Sequence, residues 1–295
     1  MKIKKTWGQR TFDIFNLLFI AAFALVMFYP MWHVLMASVS SGERLLGHKG
    51  LLLYPLDFNL ESFGLVFKNP MIVRGFLNTA QIVVIGVTLN LIFTAVLAYF
   101  LTRKDVMWQK LIMVLIVISM YFSGGMIPTY LVVSRSLHLN NSMWALILPG
   151  LISTYNLIIL RTSFASIPDS LEESAKIDGA GHLRVLANIV VPLSLPALAV
   201  MVLYYAVGHW NSWFNANIYL KDRAKYPLQL VLREVLVSND TSSMTQDAGA
   251  SSDQMMLSES VKYGVVVVST IPILLVYPFL QRYFVKGVMV GAVKG

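Results

Sequence analysis

The chain has 295 residues, 57% of them hydrophobic and only 13% charged, with a mean hydropathy of +0.67, a balance too apolar for an ordinary soluble domain. A formal net charge of +8 in such a chain records membrane topology rather than a nucleic-acid partner. The absence of cysteine excludes disulfides, thiolate metal sites and a cysteine nucleophile.

Lys2, Lys4, Lys5 and Arg10 precede an apolar run from Ile14 to Val39. That run is about twice as long as a signal-peptide core and has no clear small-x-small cleavage site near its start, so it reads as a retained first span. Charge-free stretches then predict six spans, at roughly 13–38, 75–101, 111–133, 143–160, 189–220 and 263–281, because a helix needs about 20 apolar residues to cross a hydrocarbon core. The fold class is therefore all-α, polytopic in the membrane and organised as a single transmembrane domain. The fifth stretch exceeds the need, so part of it must lie beyond the core.

An even number of spans places both termini on one side. The segments sharing that side hold the denser Lys and Arg, which assigns both termini, and the loop 161–192, to the cytoplasm. The loops 39–74 and 221–262 then lie outside. The second contains "VSNDTSSMTQDAGASSDQMML", Val237 to Leu257, which is polar and rich in Ser, Asp and Gly and reads as flexible or ordered by a partner. Backbone-breaking residues fall at Tyr121 to Pro128, at Pro149 with Gly150, at Pro192 with Pro196, and at Pro272 with Pro278. Each removes helix hydrogen bonds and predicts a loosened or kinked span.

One segment does not match its surroundings. "IPDSLEESAKIDGAGH", Ile167 to His182, sets the carboxylates of Glu172, Glu173 and Asp178 between two apolar runs. Pro168 starts a helix without cost, Asp169 or Ser170 caps it, and Ser170 with Glu173 matches a capping box. Gly179 offers the stop. Leu171, Ala175 and Ile177 give an apolar side and leave Glu172 and Lys176 facing solvent. A second helix follows from His182 to about Val191. From the residues alone, two readings stay open: a helix resting on the membrane surface, and a docking site for a cytoplasmic partner.

"EESAKIDGAG", followed by Ile189 and Pro192, resembles the EAA signature of permease subunits of ATP-binding cassette importers. Glu173-Ser174-Ala175 fills its first part, Asp178-Gly179-Ala180 its middle, and Ile189 to Pro192 its end, with Ser174 replacing the usual first Ala. "FYPMWHVLMASVS", "LILPGLISTYNLIILRTSFASIPDSLEESAKIDGA" and "WNSWFNANIYL" resemble the carbohydrate-uptake class in its shorter, maltose-importer-type permease and the importers of complex or acidic oligosaccharides. The resemblance implies that the polar helix is a coupling helix seated on an ATPase subunit. Glu172, Glu173, Ser174, Ala175, Asp178, Gly179 and Ala180 would form this coupling element. It also implies a second homologous permease, two ATPase subunits that hold ATP and Mg, an extracytoplasmic solute-binding protein for which the loop 221–262 is the candidate contact, and a prokaryotic cell membrane. The chain itself has no G-x-x-x-x-G-K-[ST] and therefore no cofactor by that route.

Sugar recognition needs hydrogen-bonding groups and aromatic faces in a wet cavity. Tyr155 and Asn156, with Trp210, Asn211, Trp213, Asn215 and Asn217, supply that mixture, although Trp210 and Trp213 read first as interface anchors. His33, His182 and His209 lack metal-ligand spacing and read as structural, so no metal is expected. No Asp or Glu lies mid-span, which argues against proton-coupled transport. The competing class, an intramembrane enzyme acting on lipid-linked sugars, needs a catalytic constellation, and neither H-E-x-x-H nor G-x-S-x-G is present.

Overall fold

The computed structural model describes residues 6–103, 106–237, 259–276 and Pro278. In chain order its main helices are α1 (Trp7–Ser38), α2 (Glu61–Lys68), α3 (Pro70–Phe100), α4 (Gln109–Tyr121), α5 (Met126–Ser136), α6 (Trp144–Gly150), α7 (Thr154–Ala165), α8 (Asp169–Ile177), α9 (His182–Leu193), α10 (Leu195–Trp210), α11 (Phe214–Tyr219), α12 (Leu228–Val237) and α13 (Glu259–Val276). Among the described residues the one β contact is an isolated antiparallel bridge between Ser40 and Phe58. Most of Val237 to Leu257, and the end of the sixth predicted span, lie outside the described residues.

Three helices, α1, α3 and α13, are long and apolar enough to cross a membrane singly, and three bent pairs bring the total to as many as six. The bends fall where the sequence places its breakers. The pair α4 and α5 turns by 113° after the Gly124-Gly125 break, so the predicted stretch 111–133 is two short helices and not one straight span. Pro149 sits in a tightened 3₁₀ turn before the 52° bend between α6 and α7. Leu186–Val190 relaxes into a π turn, Pro192 follows, and the chain bends 87° at Ser194 between α9 and α10. Proline removes a hydrogen bond that the widened turn has already given up. Pro272 and Pro30, by contrast, are held inside α13 and α1 without a break.

Two units are built from these helices. In the first, within Met1–Pro70 and Glu234–Thr270, α1 starts on a capping box made by Thr6 and Gln9. Ser62 Oγ donates to the Ser38 carbonyl at 2.7 Å, and Gly264 of α13 lies against Ser62 and Val66 of α2. The α1 side chains are almost all exposed from Trp7 to Phe28, as expected of a helix that meets lipid or another chain.

In the second unit, within Met71–Arg233 and Ile271–Gly295, α3 is the centre. Its 31 residues span about 46 Å at 1.5 Å per residue. The buried stripe runs Gly75, Thr79, Ile82, Gly86, Asn90, Thr94 and Ala98, while Leu77, Val84, Ile92, Phe93 and Val96 face outward. Small and polar residues inside with large apolar ones outside are the arrangement of a helix surrounded by protein on one side and hydrocarbon on the other. Val87, Ala95, Ala98, Tyr99, Leu157, Leu160, Phe164, Val190 and Met201 close the main core of this unit.

Candidate functional site: a surface helix and a cavity beside the central helix

The polar segment folds into α8, with Pro168 at its N-cap position and no side-chain cap from Ser170, whose carbonyl instead accepts from Ser174 Oγ at 2.9 Å. The helix therefore has its N-cap two residues before the Ser170 of the predicted capping box. Its C-terminus ends as the sequence anticipates. Gly179 has φ +78, the Gly179 amide donates to Lys176 and the Ala180 amide donates to Ala175 at 2.9 Å. These are the paired bonds of a Schellman motif, which needs a residue able to adopt the left-handed conformation.

The faces of α8 match the expectation at Ala175, which packs inward, and at Lys176, which is exposed, but depart from it at Glu172, Leu171 and Ile177. Glu172, predicted to face solvent, is the one buried charged residue among those described, at 9% exposure, whereas Ile177 is 86% exposed and Leu171 44%. Glu172 forms ion pairs with Arg103 and with Lys176 at 3.2 Å, and it accepts from Tyr99 Oη at 3.4 Å. The Arg103 guanidinium lies 4.4 Å from the centre of the Tyr99 ring. Tyr99 Oη is also 3.4 Å from His182 Nδ1 of α9. The cause lies beneath the helix. There α8 meets the polar end of α3 rather than lipid, and a buried carboxylate is tolerable only when paired and hydrogen-bonded. Ala175 and Ala180 pack against the core, and Glu173, Ser174, Asp178 and Gly179 remain exposed. The sequence reading missed Arg103 and Tyr99. The available signal was Arg103 directly following an apolar helix.

In the C-terminal half of α3 lies a second polar cluster. Asn90 is fully buried; its amide donates to the carbonyls of Gly150 at 3.0 Å and Leu151 at 2.7 Å. These are the groups freed by the bend between α6 and α7, so Asn90 satisfies what the break leaves open. With both Asn90 N–H groups donating, its Oδ1 accepts from His209 Nε2 at 2.7 Å, which fixes the imidazole as the Nε2–H tautomer. Thr94 Oγ1 bonds Tyr205 Oη at 2.8 Å, and Tyr205 Oη in turn accepts from the Ser153 amide at 3.1 Å.

This ladder backs an open cavity of about 570 Å³, lined on its polar side by Ser153, Tyr155, Asn156, Tyr204, His209, Ser212 and Asn215. Tyr155 and Tyr204 are 54% and 41% exposed, with ring centres 6.3 Å apart. Hydroxyls, amides and aromatic faces at one opening suit a polyhydroxylated ligand. Tyr155, Asn156 and Asn215 are thus brought together, while Trp210 and Asn211 are not among its lining residues. Trp210 is buried edge-on against Phe76 at 5.8 Å rather than sitting at a surface. Asn211 ends α10, its amide donating to Val207. Trp213 stacks under Arg233 at 4.8 Å, and Asn217 is exposed. Tyr204, Ser212 and His209 went unassigned to a cavity because nothing in the sequence shows which side of α10 the bend turns toward α7.

No family model matches the chain, but individual relatives do. It is 44% identical, over 97% of its length and 99% of the relative's, to the polygalacturonan/rhamnogalacturonan transport system permease protein YtcP of Bacillus subtilis. It is 25% identical over 97% of its length to the arabinooligosaccharides transport system permease protein AraQ of Halalkalibacterium halodurans. Among solved structures, a chain of a bacterial ABC transporter involved in the import of the acidic polysaccharide alginate superposes with a TM-score of 0.87 at 30% identity, covering 96% of this chain and all of that one. These relatives are transport subunits, which sets aside the intramembrane enzyme. With this identity over nearly full length on both sides, and with the helical framework built around the EAA-like segment, the chain belongs to the membrane-embedded permease subunits of carbohydrate ATP-binding cassette importers.

Proposed function

We propose that this permease forms one half of the translocation pathway for a complex or acidic oligosaccharide, a uronic-acid fragment being the leading class, and moves it by alternating access. The acidic class rests on its relatives, whose names include polygalacturonan/rhamnogalacturonan and alginate import. Its partners are a second permease, two ATPase subunits that hold ATP and Mg, and a solute-binding protein on the outer face, with both termini and α8 in the cytoplasm. The cavity bounded by Tyr155, Asn156, Tyr204, His209 and Asn215 is this chain's share of the sugar path.

The observation that carries the reading is the outward face of α8. It exposes Ile177, Leu171 and, at the start of α9, Leu183, beside the charged Glu173, Lys176 and Asp178. A short helix held from below by a buried ion pair, with apolar side chains pointing away from its own core, is built to enter a groove on another protein. Closure of two ATPases around ATP then pushes α8 and shifts the equilibrium between inward- and outward-facing states.

The test is ATP hydrolysis by the reconstituted complex, stimulated by the cognate binding protein and galacturonate oligosaccharides. Ile177→Asp is expected to release the ATPase subunits while the two permeases still assemble, and Glu173→Lys to lower stimulation. Full stimulation in both variants would remove the coupling role from α8.

A further inference from the structure

We infer that the Arg103–Glu172 ion pair is the mechanical joint through which movement of α8 reaches the central helix α3 and, along it, the sugar cavity. The inference rests on the reading of α8 as the ATPase-docking helix and goes beyond it to name the residues that pass the movement on.

Three observations carry it. First, α8 is joined covalently only to α7 and α9, whereas α3 lies 73 residues away in sequence at the Tyr99–Glu172 contact. Movement of α8 therefore reaches α3 through side chains, directly at this contact or by way of α7, whose Arg161 bonds the Leu101 carbonyl. Second, the contact is polar and buried. Glu172 is held by Arg103, Lys176 and Tyr99 together, and Arg103 is itself fixed by its stack on Tyr99 and by bonds to Thr102 Oγ1 at 3.2 and 3.0 Å. A buried ion pair adds little net stability but is costly to pull apart, so it selects one geometry and moves as a body. An apolar contact of the same area would permit sliding.

Third, α3 leads from this joint to the cavity without interruption. Its C-terminal end is anchored at the Leu101 carbonyl, which accepts from Arg161 Nε of α7 at 2.9 Å and from Gln109 of α4. Asn90 lies about 15 Å back from the end of α3 at 1.5 Å per residue, bonded to His209 and to the backbone at Gly150 and Leu151. A shift of the α3 end thus moves the group that is bonded both to the α6–α7 bend and to the His209 ring. Spatial continuity is not yet energetic coupling, so the experiment reads the response of α3 itself.

The chain has no cysteine, so Gln81→Cys on the exposed side of α3 supplies a single labelling site in this chain, far from the joint, whose labelling is read on this subunit alone. The rate at which a maleimide labels it in the full complex is measured with and without Mg-ATP and vanadate, a comparison that needs no sugar. With Arg103 and Glu172 intact, trapping is expected to change the rate by about tenfold, within the usual range of inter-site coupling. In the neutral pair Glu172→Gln with Arg103→Gln, which leaves no unpaired buried charge, the ATPase subunits are expected to stay bound while the response falls to about twofold or less. A purely structural role for the pair predicts the opposite, that any variant which assembles still responds. A full response in the neutral pair, loss of the ATPase subunits from it, or no response with the native pair would each overturn the joint. Failure of the docking reading shows separately, as ATPase subunits that remain on the Ile177→Asp chain, and takes the joint with it.

Discussion

Gly86→Ala is a small perturbation that the structure magnifies. A Cβ built at Gly86 would lie 2.5 Å from Nε2, 2.8 Å from Cε1 and 2.9 Å from Cδ2 of His209. Ordinary carbon contacts are about 3.5–4.0 Å, so the ring must retreat by roughly 1 Å. It is not free to do so, because its Nε2 donates to Asn90 Oδ1 at 2.7 Å. Moving it by that amount stretches the bond past the N–H···O limit of about 3.2 Å and leaves a buried acceptor unmatched. Overpacking costs about 1–3 kcal/mol and a lost buried bond about 1–3 kcal/mol. Because moving the ring is what relieves the overlap, the two are partly one cost, and about 2–4 kcal/mol is expected in all.

The assay is thermal denaturation of the detergent-solubilised complex at one fixed scan rate, since membrane complexes unfold irreversibly and their midpoints depend on rate. Gly86→Ala should lower the midpoint by several degrees. The companion His209→Ala removes the ring that the new methyl strikes, so Gly86→Ala added to it should cost almost nothing further. Residues in contact couple by about 0.5–3 kcal/mol in this way. An unchanged midpoint for Gly86→Ala, or effects of the two substitutions that simply add, would refute the close approach of α3 and α10 at this point.

Three further outcomes are expected. Asn90→Leu leaves the Gly150 and Leu151 carbonyls and His209 without their partner and should destabilise the complex by about 2–4 kcal/mol; a thermal midpoint matching that of the lipid-side control Ile92→Leu would contradict this. Gly179→Ala meets no atom within 4 Å but must adopt φ +78, so it should cost about 1–2 kcal/mol from backbone strain alone, with Gly179→Asn milder in the same melting experiment. Tyr155→Ala and Tyr204→Ala should each lower uptake of labelled galacturonate oligosaccharides by about tenfold, equivalent to ~1.4 kcal/mol, whereas Phe at either position retains the aromatic face and most of the uptake.

The positions of the breaks were legible in the sequence because they depend on local chemistry. Gly124-Gly125, Pro149 and Pro192 each interrupt hydrogen bonding and the three bends fall beside them, whereas Pro272, which the same chemistry marks as a kink, is held inside α13 without a break. The C-terminus of α8 was legible for the same reason, since Gly179 is the natural residue for the left-handed step. How far each break turns the chain was not legible. A bend of 113° or 52° is set by what the following helix packs against, and that information lies elsewhere in the chain. The cavity was half visible accordingly: Tyr155, Asn156 and Asn215 stand next to breaks, but Tyr204 and His209 join them only through the packing of α10 on α7.

The assignment of Glu172 to solvent failed on a premise rather than on a detail. Reading a helix face from polarity assumes that its polar side meets water, and two helices of this protein break the assumption in the same direction. In α3 the inward stripe is Thr79, Gly86, Asn90 and Thr94 and the outward one is Leu77, Val84, Ile92 and Phe93, because hydrocarbon receives the large side chains and polar groups have only one another. In α8 Glu172 is turned inward beside Ala175, while Leu171 and Ile177 are turned outward. The inversion in α8 has a different origin, since its underside is the polar end of α3 rather than lipid, but the consequence is shared. In both helices the groups that hydrogen-bond are the ones that hold helices together, and large apolar groups that would ordinarily be hidden are turned outward. Such polar contacts are directional, so they fix the register between helices more tightly than apolar packing does. Contacts of this kind stand at two places in this permease, where Glu172 of α8 meets Tyr99 and Arg103 at the end of α3 and where Asn90 meets the bend beside the cavity.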